Sequence, residues 1–296
     1  MKIIGNTNSQ FKIETWSNGI VAITKSAYGD AGKRLHLQGK KQKAGITVGN
    51  IEPVKLVAEE HATIEGKDTY SLIMPYINGA TFIDFTERSG INDIKNFADN
   101  VIEFLKYELG HEDTSADHIN AVPLMKNKLD SVHGALANYV TKNGVSMDVC
   151  KWYWIMDKTK EMLDDIREIR VHPGICHGDF TLSNILFSNS KYYLIDYLDS
   201  YIESPVMDVI KIRQDTLHKW VMLMTNDDKY DKMYANIVLD YLDKRIYDAF
   251  SKYDFMRFYN MFAAVNMFRI LPYSLREGIT SERVNYLYNE IINLIK

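Results

Sequence analysis

Residues 171–208 read VHPGICHGDFTLSNILFSNSKYYLIDYLDSYIESPVMD, and this stretch decides the fold. Asp179 and Asn184 stand five positions apart. Asp196 closes the apolar run Tyr192-Tyr193-Leu194-Ile195, which has strand character and delivers a carboxylate at its end. A loop aspartate can take the proton of an attacking hydroxyl. An amide oxygen and a second carboxylate are hard ligands of the kind Mg2+ prefers. Phosphoryl transfer needs both functions, so Asp179 is the expected catalytic group and Asn184 and Asp196 the expected metal ligands.

The five-residue interval matches the catalytic-loop spacing H-R-D-x-x-x-x-N. His-Gly-Asp, four residues, Asn, then a hydrophobic strand ending in Ile-Asp resembles the aminoglycoside phosphotransferase and choline kinase family of small-molecule kinases. The resemblance is dense over about 40 residues of the chain. It implies an α+β, bilobal protein-kinase-like fold, with a small antiparallel β-sheet lobe first and a larger, mainly helical lobe after it. It also implies ATP and Mg2+ as cofactors. His177 would orient the loop rather than act as the base. Gly178 stands where regulated protein kinases carry an Arg, which implies a constitutively assembled site. Asp208 would cap the helix after the metal strand and brace the loop.

Composition sets the outer bounds. The 296 residues suffice for one two-lobed unit, and a 46% hydrophobic content provides a sizeable core. A net charge of -4 speaks against nucleic acid as a partner. No apolar run approaches the roughly 18 residues of a membrane span, and MKIIGNTNSQF at the start has no signal-peptide character. Cytoplasm, where ATP is, is the expected compartment. Cys150 and Cys176 make neither a disulfide framework nor a metal set. Cys176 beside His177 has the makings of a nucleophile, but a small buried hydrophobe at the loop entry is the better expectation.

The first part of the chain is strand-rich. Lys2–Ile4, Phe11–Trp16, Ile20–Lys25, Ile51–Val57 and Tyr70–Met74 have strand character. Ser17-Asn18-Gly19 is a hairpin signal, and Ala31–Ala44 a basic helix. From Ile91 the period becomes helical, with Ile94, Phe97, Val101, Ile102 and Leu105 on one face. Helices are expected around Pro123–Val140, over Trp152–Ile169, and through most of the chain from Tyr230 onward. Residues 1–76 thus form the expected nucleotide lobe and 77–296 the catalytic and substrate lobe.

The join falls at Met74-Pro75-Tyr76-Ile77-Asn78-Gly79. The family resemblance makes this the hinge, with backbone groups at Met74, Tyr76 and Ile77 reading the adenine edge. Lys25 ends Ile20-Val21-Ala22-Ile23-Thr24 as the Lys of V-A-I-K ends its strand, the lysine that pairs the α- and β-phosphates. Gly5–Phe11 is the candidate phosphate-covering loop, where Asn8 and Ser9 present backbone N–H groups. The helix-borne Glu that usually pairs with the lysine is missing. Ala31–Ala44 offers only Gln38 and Gln42 on its inner face, and Glu59 or Glu60 are substitutes if that helix is misplaced.

The acceptor is expected to be a small molecule with a hydroxyl group. Only about a dozen positions separate Asp196 from Asp208, with no activation segment of the kind a polypeptide substrate requires. An amino alcohol, a sugar or a related metabolite, destined for a surface glycan or lipid headgroup, ranks first. An aminoglycoside, or a catalytically silent pseudokinase, is the alternative. Trp220, Met222, Tyr259, Phe262, Met267 and Phe268 are candidate pocket walls. Asp199, Glu203 and Asp215 are candidate holders of a cationic or polyhydroxyl substrate, with surface acids the simpler expectation.

Overall fold

The computed structural model describes residues 9–296 except 17–18, 65, 114 and 226–230. The expected strand Lys2–Ile4, the hairpin residues Ser17 and Asn18, and most of the expected phosphate-covering loop, including Asn8, lie outside the described residues.

The chain opens with β1 (Gln10–Thr15) and β2 (Val21–Tyr28), then α1 (Gly29–Ala44), β3 (Ile51–Pro53), β4 (Ala58–Ile64) and β5 (Lys67–Pro75). Four of these strands form an antiparallel sheet in the order β1-β2-β5-β4. The small core under α1 consists of Ala27, Leu35, Tyr70 and Leu72. One correction concerns the expected strand Ile51–Val57. Pro53 ends β3, and a separate strand, β4, follows it. β4 is a largely exposed edge strand, so its sequence AEEHATI lacks the alternation that half-buried strands show.

The remainder is mostly helical. It comprises α2 (Phe82–Arg88), α3 (Ile91–Gly110), β6 (Ile119–Asn120), α4 (Ala121–Asn143), α5 (Met147–Asp164) and β7 (Arg170–Val171). There follow β8 (Ile185–Ser188), β9 (Lys191–Leu194), α6 (Val206–Thr216), α7 (Trp220–Met224), α8 (Lys232–Phe250), α9 (Tyr259–Ser274) and α10 (Glu282–Leu294). Several helices begin on residues suited to the task. Thr81 and Asp84 form a capping box on α2, Asn120 caps α4, and Ser146 caps α5. That last cap places the start of α5 five residues ahead of the expected Trp152, and the helix stops at Asp164, so Ile169 lies beyond it. Among the described residues, no helix is long and apolar enough to cross a membrane.

The two parts are joined through one β-hairpin. β8 and β9 pair antiparallel, with Asn189 and Ser190 both at positive φ in the turn between them, at 49° and 62°. β3 runs parallel to β9 and pairs with it, in register from Ile51 with Tyr192 to Pro53 with Leu194. The segment after β5 bridges to the same hairpin through Ala80 and Phe187. A side chain at Gly79 would meet Leu186 Cβ at 2.9 Å, so the hinge lies tightly on the hairpin. The large core beneath is continuous from Val48 to Leu294.

Candidate active site

The site grows from the loop between β7 and β8. Gly178 has φ +83°, and a Cβ there would lie 1.9 Å from the Leu198 carbonyl oxygen. Only glycine fits this close approach. His177 is buried between the rings of Tyr197 and Phe180. Its Nε2 faces the Ile195 carbonyl at 2.8 Å and its Nδ1 faces the Asp179 N–H at 3.2 Å. Those partners assign the proton to Nε2 and make the ring neutral. Burial pushes its pKa down to about 4. His177 thus locks the loop to the end of β9.

Asp179 is held from both sides. Asn184 donates through Nδ2 to the Asp179 carbonyl at 2.8 Å and to its Oδ2 at 3.1 Å. Lys211 Nζ donates to Asp179 Oδ1 at 2.7 Å and to the Gly178 carbonyl at 2.9 Å. Arg269 reaches the same Oδ1 at 3.2 Å. Burial alone would raise this carboxyl's pKa, but Lys211 and Arg269 outweigh burial and hold it well below the usual carboxylate range. Lys211 is drawn the other way. Burial, then Arg269, lowers it to about 8 against the pull of Asp179.

Asp196 follows β9 in a left-handed conformation, φ +58°, which aspartate tolerates better than most residues. Its carboxylate accepts from Lys25 Nζ at 2.9 Å. Lys25 is itself buried in β2 and also donates to Gln38 Oε1 at 3.3 Å. Gln38 on α1 therefore occupies the place of the missing Glu, orienting the lysine by a neutral hydrogen bond. Gln42 instead donates to the Val54 carbonyl at 2.6 Å, and Glu59 pairs with Lys43 at 3.0 Å.

Lys25, Asp179, Asn184 and Asp196 face one cleft of about 810 Å³, along with Phe11, Ile23, Met74, Tyr76 and Ile77. The Tyr76 N–H is committed to the Val21 carbonyl at 2.9 Å, extending the strand pairing, which leaves its carbonyl as the backbone group at that position. Ser9 lies one residue before β1, and β1 reaches the cleft through Phe11. The donor set suits Mg2+. The Asn184 amide nitrogen is spent on Asp179, leaving its oxygen to face a cation, and Asp196 adds a charged oxygen. Among the described residues, no three His, Cys, Asp or Glu side chains form a metal cage. Mg2+ binding normally uses one or two protein carboxylates plus phosphate oxygens, not a full protein cage.

The face of α6 explains what sequence reading missed. Asp208, Lys211 and Asp215 follow the i, i+3, i+7 spacing of one helix face. They meet the catalytic loop in chain order, Asp208 at His177 and Gly178, Lys211 at Asp179, and Asp215 at Leu182. Asp208 accepts the His177 and Gly178 N–H groups, and Asp215 accepts the Leu182 N–H at 2.7 Å. Asp208 thus braces the loop as expected. It does not cap the helix, because it sits inside the first turn and Pro205 holds the cap position. Asp215 is fully buried and Glu203 is paired with Lys41 at 2.6 Å, so neither is a substrate acid. Burial raises Asp215 to about 7. Arg269, on α9, gave no local signal, since nothing near residue 269 in the chain marks it as a partner of residue 179. Of the expected aromatic walls, only Trp220 lines the cleft, beside Met224, Ile270 and Tyr273. Tyr259, Phe262, Met267 and Phe268 belong to the core. Cys176 is buried, and burial pushes its thiol up, so the structural expectation holds.

A family model described as "Phosphotransferase enzyme family" matches residues 52–257. No curated protein sequence matches the chain significantly. Among solved structures, a thermostable mutant of aminoglycoside phosphotransferase APH(4)-Ia, with ADP and hygromycin B, superposes with a TM-score of 0.63 at 12% identity, over 100% of this chain and 92% of that one. Amicoumacin kinase hAmiN, in complex with AMP-PNP, Ca2+ and Ami, gives 0.59 at 12% identity, over 99% and 87%. Glucosamine kinase with glucosamine, ADP and inorganic phosphate gives 0.51 at 12% identity, over 97% and 75%. At these identities the likeness is one of fold, and the fold is the protein-kinase-like one expected from the sequence.

Proposed function

The chain belongs to the phosphotransferase enzyme family, and from that footing we propose that it transfers the γ-phosphoryl group of ATP, with Mg2+, to a hydroxyl group of a small molecule. The observation that carries this is the convergence of Lys25, Asp179, Asn184 and Asp196 on one cleft beside the hinge. Lys25 is the anchor for the α- and β-phosphates, swinging from Asp196 once nucleotide enters. Met74 and Ile77 supply the hinge contacts to adenine. Asn184 and Asp196 would hold Mg2+, whose chemistry is to neutralise the phosphate oxygens. Asp179 orients the acceptor hydroxyl and accepts its proton as the new P–O bond forms. With two cations on it, Asp179 is a weak base. A loose transition state demands positioning and charge stabilisation more than strong deprotonation. Residues 1–76 then act as the nucleotide lobe and 77–296 as the catalytic lobe.

The acceptor class in this reading is an amino alcohol, a sugar or a related metabolite, used in the cytoplasm for surface glycan or lipid headgroup synthesis. The test is Mg2+-dependent ADP release across a panel of hydroxyl compounds. Asp179→Asn keeps the shape and loses the proton acceptor, so turnover should fall by about 10²–10⁴ while ATP binding persists. Turnover that is unchanged in Asp179→Asn would sink the assignment.

A further inference from the structure

Three side chains form a relay behind Asp179. Arg269 donates through one Nη to Asp179 Oδ1 at 3.2 Å and through Nε to Asn266 Oδ1 at 3.2 Å. Asn266, buried on α9, donates in turn through Nδ2 to Gln214 Oε1 at 2.9 Å. This order fixes both amides. A guanidinium only donates, so Asn266 must turn its oxygen to Arg269 and its nitrogen to Gln214. Gln214 must then turn its oxygen to Asn266, which leaves its Nε2 as a donor. Gln214 is 4% exposed, yet it lines the cleft. Among the described residues nothing accepts from its Nε2, and that atom is not sealed within the protein. Its N–H groups therefore open on the cleft. A donor so nearly buried is costly to leave unpaired, and an oxygen of a bound molecule would complete it. Gln214 follows Lys211 by three positions on α6, so the two share a face, with Cβ atoms about 5–6 Å apart. Lys211 is itself on Asp179 at 2.7 Å. The free donor thus stands on the scale of a sugar ring from the Asp179 carboxylate.

We propose that Gln214 is a specificity-determining residue, whose Nε2 donates to an uncharged oxygen of the acceptor near the reacting hydroxyl. The acceptor is then a polyhydroxyl compound, a sugar or sugar alcohol, rather than an amino alcohol. This rests on the phosphotransfer reading above and narrows it. Among the described residues the carboxylates lining the cleft are Asp179, Asp196 and Glu277, and each already faces a cation. Asp179 carries Lys211 and Arg269, Asp196 carries Lys25, and Glu277 is paired with Arg283 at 2.5 Å. An ammonium close to the reacting hydroxyl would meet the Gln214 N–H groups and the Arg269 guanidinium, with no unpaired carboxylate to offset them. Asn266 is a positioning residue, acting on the acceptor only through the orientation of Gln214.

The test compares glucose, galactose, ribitol and glycerol with ethanolamine and choline. ADP release is read beside calorimetric binding to the AMP-PNP- and Mg2+-loaded protein. At least one polyol should exceed both amino alcohols by about tenfold or more in kcat/KM, the value of one good hydrogen bond. The best polyol is then compared with its monodeoxy analogues, one of which should lose a similar factor. Gln214→Met, which removes the donor, should cost the parent polyol about as much. The two losses should not multiply, because both delete the same contact; a merely structural role for Gln214 would tax every analogue alike. Gln214→Glu keeps an oxygen for Asn266 and replaces the donor with a charged acceptor, so it should lower polyol use and raise ethanolamine use. Thermal melts check folding, and if Gln214→Met does not fold, Gln214→Glu and the deoxy series on the unaltered protein carry the test. Losses that multiply across all analogues would overturn the inference while leaving phosphotransfer intact, as would amino alcohols that match or exceed every polyol. Failure of every polyol to bind the loaded protein would overturn it too. Polyol binding that Gln214→Glu weakens, without any ADP release, would uphold the donor site and overturn the phosphotransfer reading instead.

Discussion

The loop that carries Asp179 separates two groups of carboxylates that behave in opposite ways. On its cleft face, Asp179 is ringed by Lys211 and Arg269 and stays ionised far below the usual range. On its rear face, burial raises Asp208 to about 6 against Lys211, Lys41 and two backbone amides. Behind it, burial and then the charge of Asp208 push Glu108 well up, so that it holds its proton. Asp208 and Glu108 are fully buried, whereas Asp179 keeps 17% of its side chain open to the cleft. The balance of charge around each differs as well. Two cations touching one oxygen overcome desolvation, whereas amides and a second carboxyl do not. One face is thus tuned for charge, while at the other Glu108 keeps a proton beside Asp208.

The strongest way to break the comparison is to move the loop itself. Gly178→Ala places a methyl 1.9 Å from the Leu198 oxygen in a left-handed conformation. Strain and overpacking together should cost about 3 kcal/mol or more and abolish turnover. Chemical denaturation and an ADP-release assay read both, and a variant that is stable and active would show that the loop yields.

A smaller effect comes from the cleft face alone. Lys211→Met leaves Asp179 buried with Arg269 as its remaining cation. Breaking a buried pair costs about 3 kcal/mol. The Asp179 carboxyl should move up from its depressed range, so the acid limb of the kcat/KM profile should shift to higher pH. An unmoved acid limb would mean that Arg269 alone sets the charge of Asp179.

The smallest effect is expected at the rear. Glu108 has a folded pKa above its unfolded value, so the folded state keeps a proton that the unfolded state sheds above about pH 4.5. Its contribution therefore falls as pH rises. Glu108→Gln carries no such proton, and its stability relative to the parent should grow from about pH 5 to about pH 8. Thermal melts at the two pH values check this, and a variant that loses stability relative to the parent from about pH 5 to about pH 8 would reverse the assignment.

Much of the fold was legible because its signals are local. The spacing of Asp179 and Asn184 and the run before Asp196 each span a few residues, and the structure keeps all three on one cleft. α1 was placed within two residues of its observed start because its boundary follows from chain neighbours. β4 was missed because an exposed edge strand needs no apolar alternation, and Ser146 moved the start of α5 through a cap rather than a periodicity. Gln38 was visible as a candidate. Its choice over Gln42 required the packing of α1 against β2, which aims one glutamine at Lys25 and the other at the Val54 carbonyl.

The sequence by itself determined which residues the proposed chemistry rests on, because a few contiguous residues on a loop and a strand end suffice to mark a candidate proton acceptor and two candidate oxygen ligands. It also determined the lobe order, because the hydrophobic period changes along the chain. Only the tertiary structure decided which charges surround that chemistry. Lys211 and Arg269 come from two helices, 32 and 90 residues distant from Asp179. Electrostatic energy depends on distance through space and on burial, neither of which is written in sequence separation. The protonation of Asp179 and the brace behind it were therefore settled by packing.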